Sequence, residues 1–159
     1  MKFKGKKIPG PKPVYAVIPR GSEDDDIVFK ITPVIDLKDF EKMCPEPAPD
    51  RVLKPGGVEY LDYESVEYKA RVDKYSDLQF AYVFIRSISE TDYLEWDKVK
   101  LDDPSTWVHW KEEIEESGLS KAEVTYLMGE VTKANIIDEE RIKEARDRFF
   151  SKKQGTKSA

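Results

Sequence analysis

The chain has 159 residues, the size of one domain and long enough to bury a core without disulfides or a structural metal. Apolar residues make up 39% and charged residues 37%, so a modest core must lie beneath a heavily charged surface. No run approaches the about 18 apolar residues of a membrane span, the start MKFKGKKIPGPKP has no apolar leader stretch, and Cys44 stands alone, which excludes an internal disulfide and suits a soluble intracellular protein.

Charge divides the chain. Residues 1–20 hold Lys2, Lys4, Lys6, Lys7, Lys12 and Arg20 with no acid, a local charge of +6. Residues 151–159 add Lys152, Lys153 and Lys157, or +3, so the overall −5 leaves −14 for residues 21–150. A basic flexible arm over 1–13 and a disordered basic tail over 151–159 are therefore expected to flank an acidic body. Lysine-rich ends can hold phosphate by counterion release, but an acidic body repels nucleic acid over a Debye length of about 8–10 Å. Solvated ends and a basic protein partner are the better expectation.

Nine of the ten prolines precede residue 56, which puts short strands and loops first and leaves the remainder free to be helical. Residues 14–63 read as a small β-containing region. Val14–Ile18 and Ile27–Thr32 are strands of one hairpin, joined through the polar run Ser22–Asp26. Pro33 makes the second an edge strand, open to pairing between subunits. Asp36 is the expected N-cap of a short helix to Met43, with Leu37, Phe40 and Met43 on one face. Cys44–Gly57 (CPEPAPDRVLKPGG) reads as a stiff polyproline-like linker, and Val58–Leu61 as a third short strand.

Residues 64–150 read as a helical body. Between Glu64 and Glu90 no proline or glycine intervenes, and Tyr68, Val72, Tyr75, Tyr82 and Ile85 fall on one stripe of a central helix. Its end, Phe80–Ile88, is apolar almost all round and should be its most buried part. Asp103-Pro104 caps a helix that ends near Ser117, with Gly118 as the stop. Ser120-Lys121-Ala122-Glu123 is a capping box for a helix carrying Val124, Leu127, Met128, Val131 and Ala134. Asn135 should end it in the left-handed conformation. Asp138 should cap the last helix, which carries Ile142, Ala145 and Phe149 and closes a helical hairpin. The fold class is α+β: a small N-terminal β hairpin or sheet, then a mainly helical body.

Catalytic chemistry finds little support. His109 is the only histidine, and no patterned nucleophile or orienting acid accompanies it. Cys44 lacks the basic surroundings that activate a thiol. Asp24, Asp25 and Asp26 lack the order of a cation-binding loop and read as a solvated hairpin tip. Glu112/Glu113 and Glu115/Glu116 read as an exposed helix face. No phosphate loop, dinucleotide fingerprint, nucleophile elbow or zinc spacing appears, so no cofactor or metal is expected. Aromatic residues stand out instead. Trp107 and Trp110 lie three apart among charged residues, and two readings stand: packing onto the core, or a binding hot spot. Of Phe149 and Phe150, adjacent on different helix faces, one is expected in the core and the other, Phe150, as a contact.

Tyr68–Ile88 (YKARVDKYSDLQFAYVFIRSI), Glu95-Trp96-Asp97, Asp103–Trp107 (DPSTW), Gly118-Leu119-Ser120, the helix end Lys133-Ala134-Asn135 and the closing Asp138–Phe150 (DEERIKEARDRFF) together give a recognisable layout. In it the chain resembles the small tail assembly chaperones of long-tailed phages. The resemblance covers about 90 residues and is one of arrangement, without a catalytic signature. It implies a non-enzymatic protein of the host cytoplasm that binds the tape-measure or tail-tube protein before virion assembly, with several copies able to coat one client. Trp107, Trp110 and Phe150 are the expected contacts. Two other readings stand beside it: an acidic mimic of nucleic acid that inhibits a DNA-binding protein, and a tail or neck component that forms a homo-oligomer.

Overall fold

A computed structural model describes residues 1–136 and 139–155. The fold is α+β, with small antiparallel strand pairs at the N-terminal end and a mostly helical body behind them. Strands β1 (Lys2–Phe3) and β2 (Lys6–Lys7) form a miniature hairpin within the arm expected to be flexible. Lys4 and Gly5, at φ 50° and 75°, make the doubly left-handed turn that matches strand twist.

The main hairpin pairs β3 (Val14–Ile18) with β4 (Ile27–Ile31), and Ala16 lies opposite Phe29. Alternation decides which face is buried: Ala16, Ile18, Phe29 and Ile31 enter the core while Tyr15, Val17 and Val28 stay exposed. The β4 edge is not open along its length. The Thr91 hydroxyl accepts from the Lys30 N–H at 3.0 Å and donates to its carbonyl at 3.1 Å, and the Thr32 N–H donates to the Ser87 carbonyl at 2.8 Å. Side chain and helix end thus occupy the backbone groups that a pairing subunit would need.

Helix α1 (Lys38–Met43) buries Phe40, flanked by half-buried Leu37 and Met43. Its N-cap position is Leu37, and Asp36 accepts from the Lys38 N–H at 3.0 Å just outside it. The proline-rich linker is a correction to the sequence expectation. Its middle is strand β5 (Asp50–Leu53), which pairs with β6 (Glu59–Asp62) in a separate hairpin. Pro45, Pro47 and Pro49 precede the paired residues, so no ladder donor is lost. Gly56 and Gly57, at φ 106° and 84°, supply a turn that residues with a Cβ rarely adopt.

Helix α2 (Val66–Ile88) is the spine, capped by the Ser65 hydroxyl accepting from the Tyr68 N–H. Its last two turns bury Ala81, Tyr82, Phe84, Ile85, Ser87 and Ile88, whereas Phe80 is exposed. A 3₁₀ helix (Pro104–His109) and then α3 (Trp110–Glu116) replace the single helix expected there. Asp103 caps the first, accepting from the Ser105 N–H at 3.1 Å and hydroxyl at 2.6 Å. Helix α4 (Lys121–Asn135) starts on both halves of the Ser120/Glu123 capping box. Asn135 ends it in the helix rather than in the left-handed conformation. Helix α5 (Glu139–Gly155) extends into the tail expected to be disordered from 151. Ser151 to Gln154 offer no helix breaker, and lysines suit a helix C-terminus. Asp138 and Lys157 lie outside the described residues.

Candidate protein-binding groove

Two buried systems fix the walls of the helical body. Phe40, Tyr75, Tyr82 and Trp107 form one aromatic cluster, with Phe40–Tyr75, Phe40–Tyr82 and Tyr82–Trp107 ring centroids 5.2, 5.5 and 5.4 Å apart. The Trp107 indole N–H donates to the Lys100 carbonyl at 2.9 Å, so the ring enters the core with its donor satisfied. The second system is polar. Asn135 accepts from the Val34 N–H at 2.9 Å through Oδ1 and donates through Nδ2 to the Ser87 hydroxyl at 2.9 Å and the Val131 carbonyl at 2.8 Å. One side chain thereby joins the end of the β hairpin, α2 and α4. At the other end of α4, Arg20 makes a bidentate ion pair with Glu123. That pairing, reinforced by the Ser120 N–H, holds the Glu123 carboxyl down to about 2.

Between the walls, α2 and α4 leave an apolar groove of about 310 Å³. Ser76, Gln79, Phe80 and Val83 line it from α2, and Met128, Val131, Thr132 and Ile136 from the α4 side. None of its lining side chains is charged. The Thr132 hydroxyl is turned back onto the Met128 carbonyl at 2.9 Å, which leaves its methyl as the other face of the side chain. Phe80, 50% exposed, also lines a second cleft of about 600 Å³ with Leu78, Pro104 and Val108. Asn135 and Ile136 continue the first groove into a third, of about 620 Å³, with Ile35, Ile142 and Ala145. The three share residues and make one apolar track across the body.

Trp107 and Trp110, expected as contacts, are 0% and 5% exposed, and both line the base of the cleft of about 600 Å³ rather than standing free at the surface. Trp110 packs against Phe84 with centroids 4.6 Å apart. The tight 3₁₀ turn carries Trp107 onto α1 and α2, so the packing reading of this pair holds. Phe150 is 53% exposed, with its ring edge-on to Phe149. His109 lies 3.2 Å from Glu112, which Lys98 also pairs at 3.3 Å. These two neighbours, His109 foremost, hold the Glu112 carboxyl below its ordinary range. Cys44 is buried, and burial pushes its thiol up, away from the reactive form. Among the described residues no group of three or more histidine, cysteine or acidic side chains is gathered as metal ligands, and no helix is long and apolar enough to cross a membrane.

Much of the acidity is engaged internally. Asp26 accepts from the Arg20 N–H at 2.6 Å, and Asp25 from the Ser22 hydroxyl at 2.5 Å. Glu113 accepts from three successive backbone N–H groups, Asp97, Lys98 and Val99, at 2.6–3.0 Å.

No known protein family, curated protein or solved structure matches this chain. Of the groove residues, Met128 was read in the apolar stripe of its helix and Phe80 as the start of the segment expected to be most buried, whereas Thr132 and Ile136 were not singled out by the sequence reading. The groove's signal was present in Phe80–Ile88: a helix segment apolar all round needs cover on every side, and α4 covers only part of it.

Proposed function

We propose that the protein is a non-enzymatic assembly chaperone that holds an apolar helical segment of a client protein along the α2–α4 groove. The observation that carries this reading is the apolar α2–α4 groove beside half-exposed Phe80, whose lining holds no charged side chain and suits the apolar face of an amphipathic helix. The resemblance to tail assembly chaperones of long-tailed phages gives the client class: the tape-measure or tail-tube protein, bound in the host cytoplasm before assembly. Phe80 and Val108 replace Trp107 and Trp110 as the proposed contacts, and Phe150 stays among them. The charged exterior keeps the complex soluble while the client's apolar face is covered.

Mimicry of nucleic acid is the weaker reading, because Asp25, Asp26, Glu112 and Glu113 hold side chains or backbone of their own chain. Salt and one substitution test the choice. Tagged protein and its Phe80→Asp variant would be used to capture partners from infected-cell extract at about 0.15 M and about 0.5 M salt. A long helical or tail-tube protein retained at both salts, and lost with Phe80→Asp, is the expected result. A DNA-binding protein released at the higher salt, or capture indifferent to Phe80→Asp, would overturn it.

A further inference from the structure

A second surface touches α4 through Leu127. Phe29, Ile88, Leu94, Trp96, Leu119 and Leu127 floor a cleft of about 360 Å³ between β4, α3 and the loop after α2. Its rim carries Glu95, Asp97 and Glu116 against the single cation Lys98, with Glu113 inside it occupied by the loop backbone. Just before Leu94, Tyr93 is fully exposed and sits at φ 62°, a conformation that a bulky residue keeps only where its surroundings impose it.

The arm has the complementary character. Every residue from Met1 to Lys12 is exposed, including Met1, Phe3 and Ile8. Among the described residues none of Lys2, Lys4, Lys6, Lys7 and Lys12 is ion-paired. The β1–β2 turn gathers four of these lysines around Phe3, and residues 8–13 carry that hairpin away from β3 by up to roughly 20 Å when extended. An apolar side chain ringed by lysines matches an apolar cleft rimmed by carboxylates.

We infer that copies of this chain associate through the arm, with the β1–β2 hairpin of one copy seating Phe3 in the Leu94–Trp96–Leu119 cleft of the next. Lys2, Lys4, Lys6 and Lys7 then face Glu95, Asp97 and Glu116. The contact is head-to-tail, so each copy offers one arm and one cleft, and further copies add without a new surface. It leaves the α2–α4 groove open and does not depend on what that groove holds.

Sedimentation of the full chain with two charge-reversed variants tests this. One carries Lys2→Glu, Lys4→Glu, Lys6→Glu and Lys7→Glu; the other carries Glu95→Lys, Asp97→Lys and Glu116→Lys. At about 0.05 M salt the natural chain should exceed its monomer mass as concentration rises, and about 0.5 M salt should weaken this at least tenfold. Each variant alone should stay monomeric. Mixing the two should restore association, because an acidic arm then meets a basic cleft, and this also shows that both variants fold. Carbodiimide coupling of a mixture of ¹⁴N- and ¹⁵N-labelled chains should join arm lysines to Glu95, Asp97 or Glu116 in mixed-isotope pairs. A natural chain monomeric at every concentration, couplings confined to one isotope, or no association on mixing would overturn the inference. So would a monomer whose arm instead binds a single-stranded oligonucleotide.

Discussion

From Ala81 to Ile88, α2 is enclosed by β4, the 3₁₀ helix and α4, whereas from Val66 to Ser76 the same helix is at best half-buried. Its early turns reach the β5–β6 hairpin and the segments flanking it, through Arg71 to the Ala48 carbonyl and Asp50, each at 3.0 Å, and through Tyr68 against Tyr63, while Tyr75 packs on Phe40. That hairpin leaves Leu53, Val58, Tyr60 and Leu61 exposed. One continuous helix therefore joins an enclosed region that stabilises the fold to a more open one that, Tyr75 apart, contributes less to it. Phe80 sits at the junction, with one side of its ring toward Trp110, centroids 5.9 Å apart, and the other in the groove. On the proposed reading, stability and recognition are separable because neighbouring residues of one helix face different surroundings.

The sharpest way to break this contrast is from the buried side. Trp107→Ala should cost about 3–5 kcal/mol, seen as a lower urea midpoint, since it empties the centre of the aromatic cluster and removes the indole donor to the Lys100 carbonyl. A loss below about 1 kcal/mol would mean that the enclosed half is not what holds the fold. Asn135→Ala should cost about 1–3 kcal/mol, because the Val34 N–H and the fully buried Ser87 hydroxyl lose their partner together. Hydrogen exchange should show faster opening at Val34 in this variant, with β5–β6 unchanged.

The smallest effect lies at the exposed start of α4 and is read by pH. Glu123 is held to about 2, below its ordinary 4.5, so the folded state binds its proton less readily than the unfolded one. The Arg20–Glu123 contribution is therefore complete above about pH 4.5 and is lost as pH falls toward about 2. Glu123→Gln should flatten the dependence of stability on pH in that window. An unchanged slope would remove the ion pair from the account.

These contrasts also mark what the residues alone disclosed. The short apolar runs Val14–Ile18 and Ile27–Ile31 on either side of a polar turn, the Ser120/Glu123 box, Asp103-Pro104 and the unbroken run from Glu64 are local signals, and each element formed where its signal lay. Trp107 was harder, because its neighbours in sequence, Thr106 and Val108, form no apolar stripe with it, and burial comes from Phe40 and Tyr82, distant in the chain. Asn135 looked like a helix terminator because its three partners lie on separate elements. The β5–β6 pairing was masked by prolines that cluster before the strand rather than inside it. The groove is a difference between what α2 exposes and what α4 covers, and no single segment carries that difference.

The claim that recognition resides at Phe80 is tested most directly by placing a photo-crosslinking phenylalanine analogue in turn at position 80 and at position 61, on the β5–β6 hairpin. After irradiation in extract from infected cells, the adducts would be read by mass spectrometry. The account predicts a client peptide with apolar residues at helical spacing joined to position 80 and none to position 61. Adducts at position 61 alone would move recognition to the hairpin and contradict it.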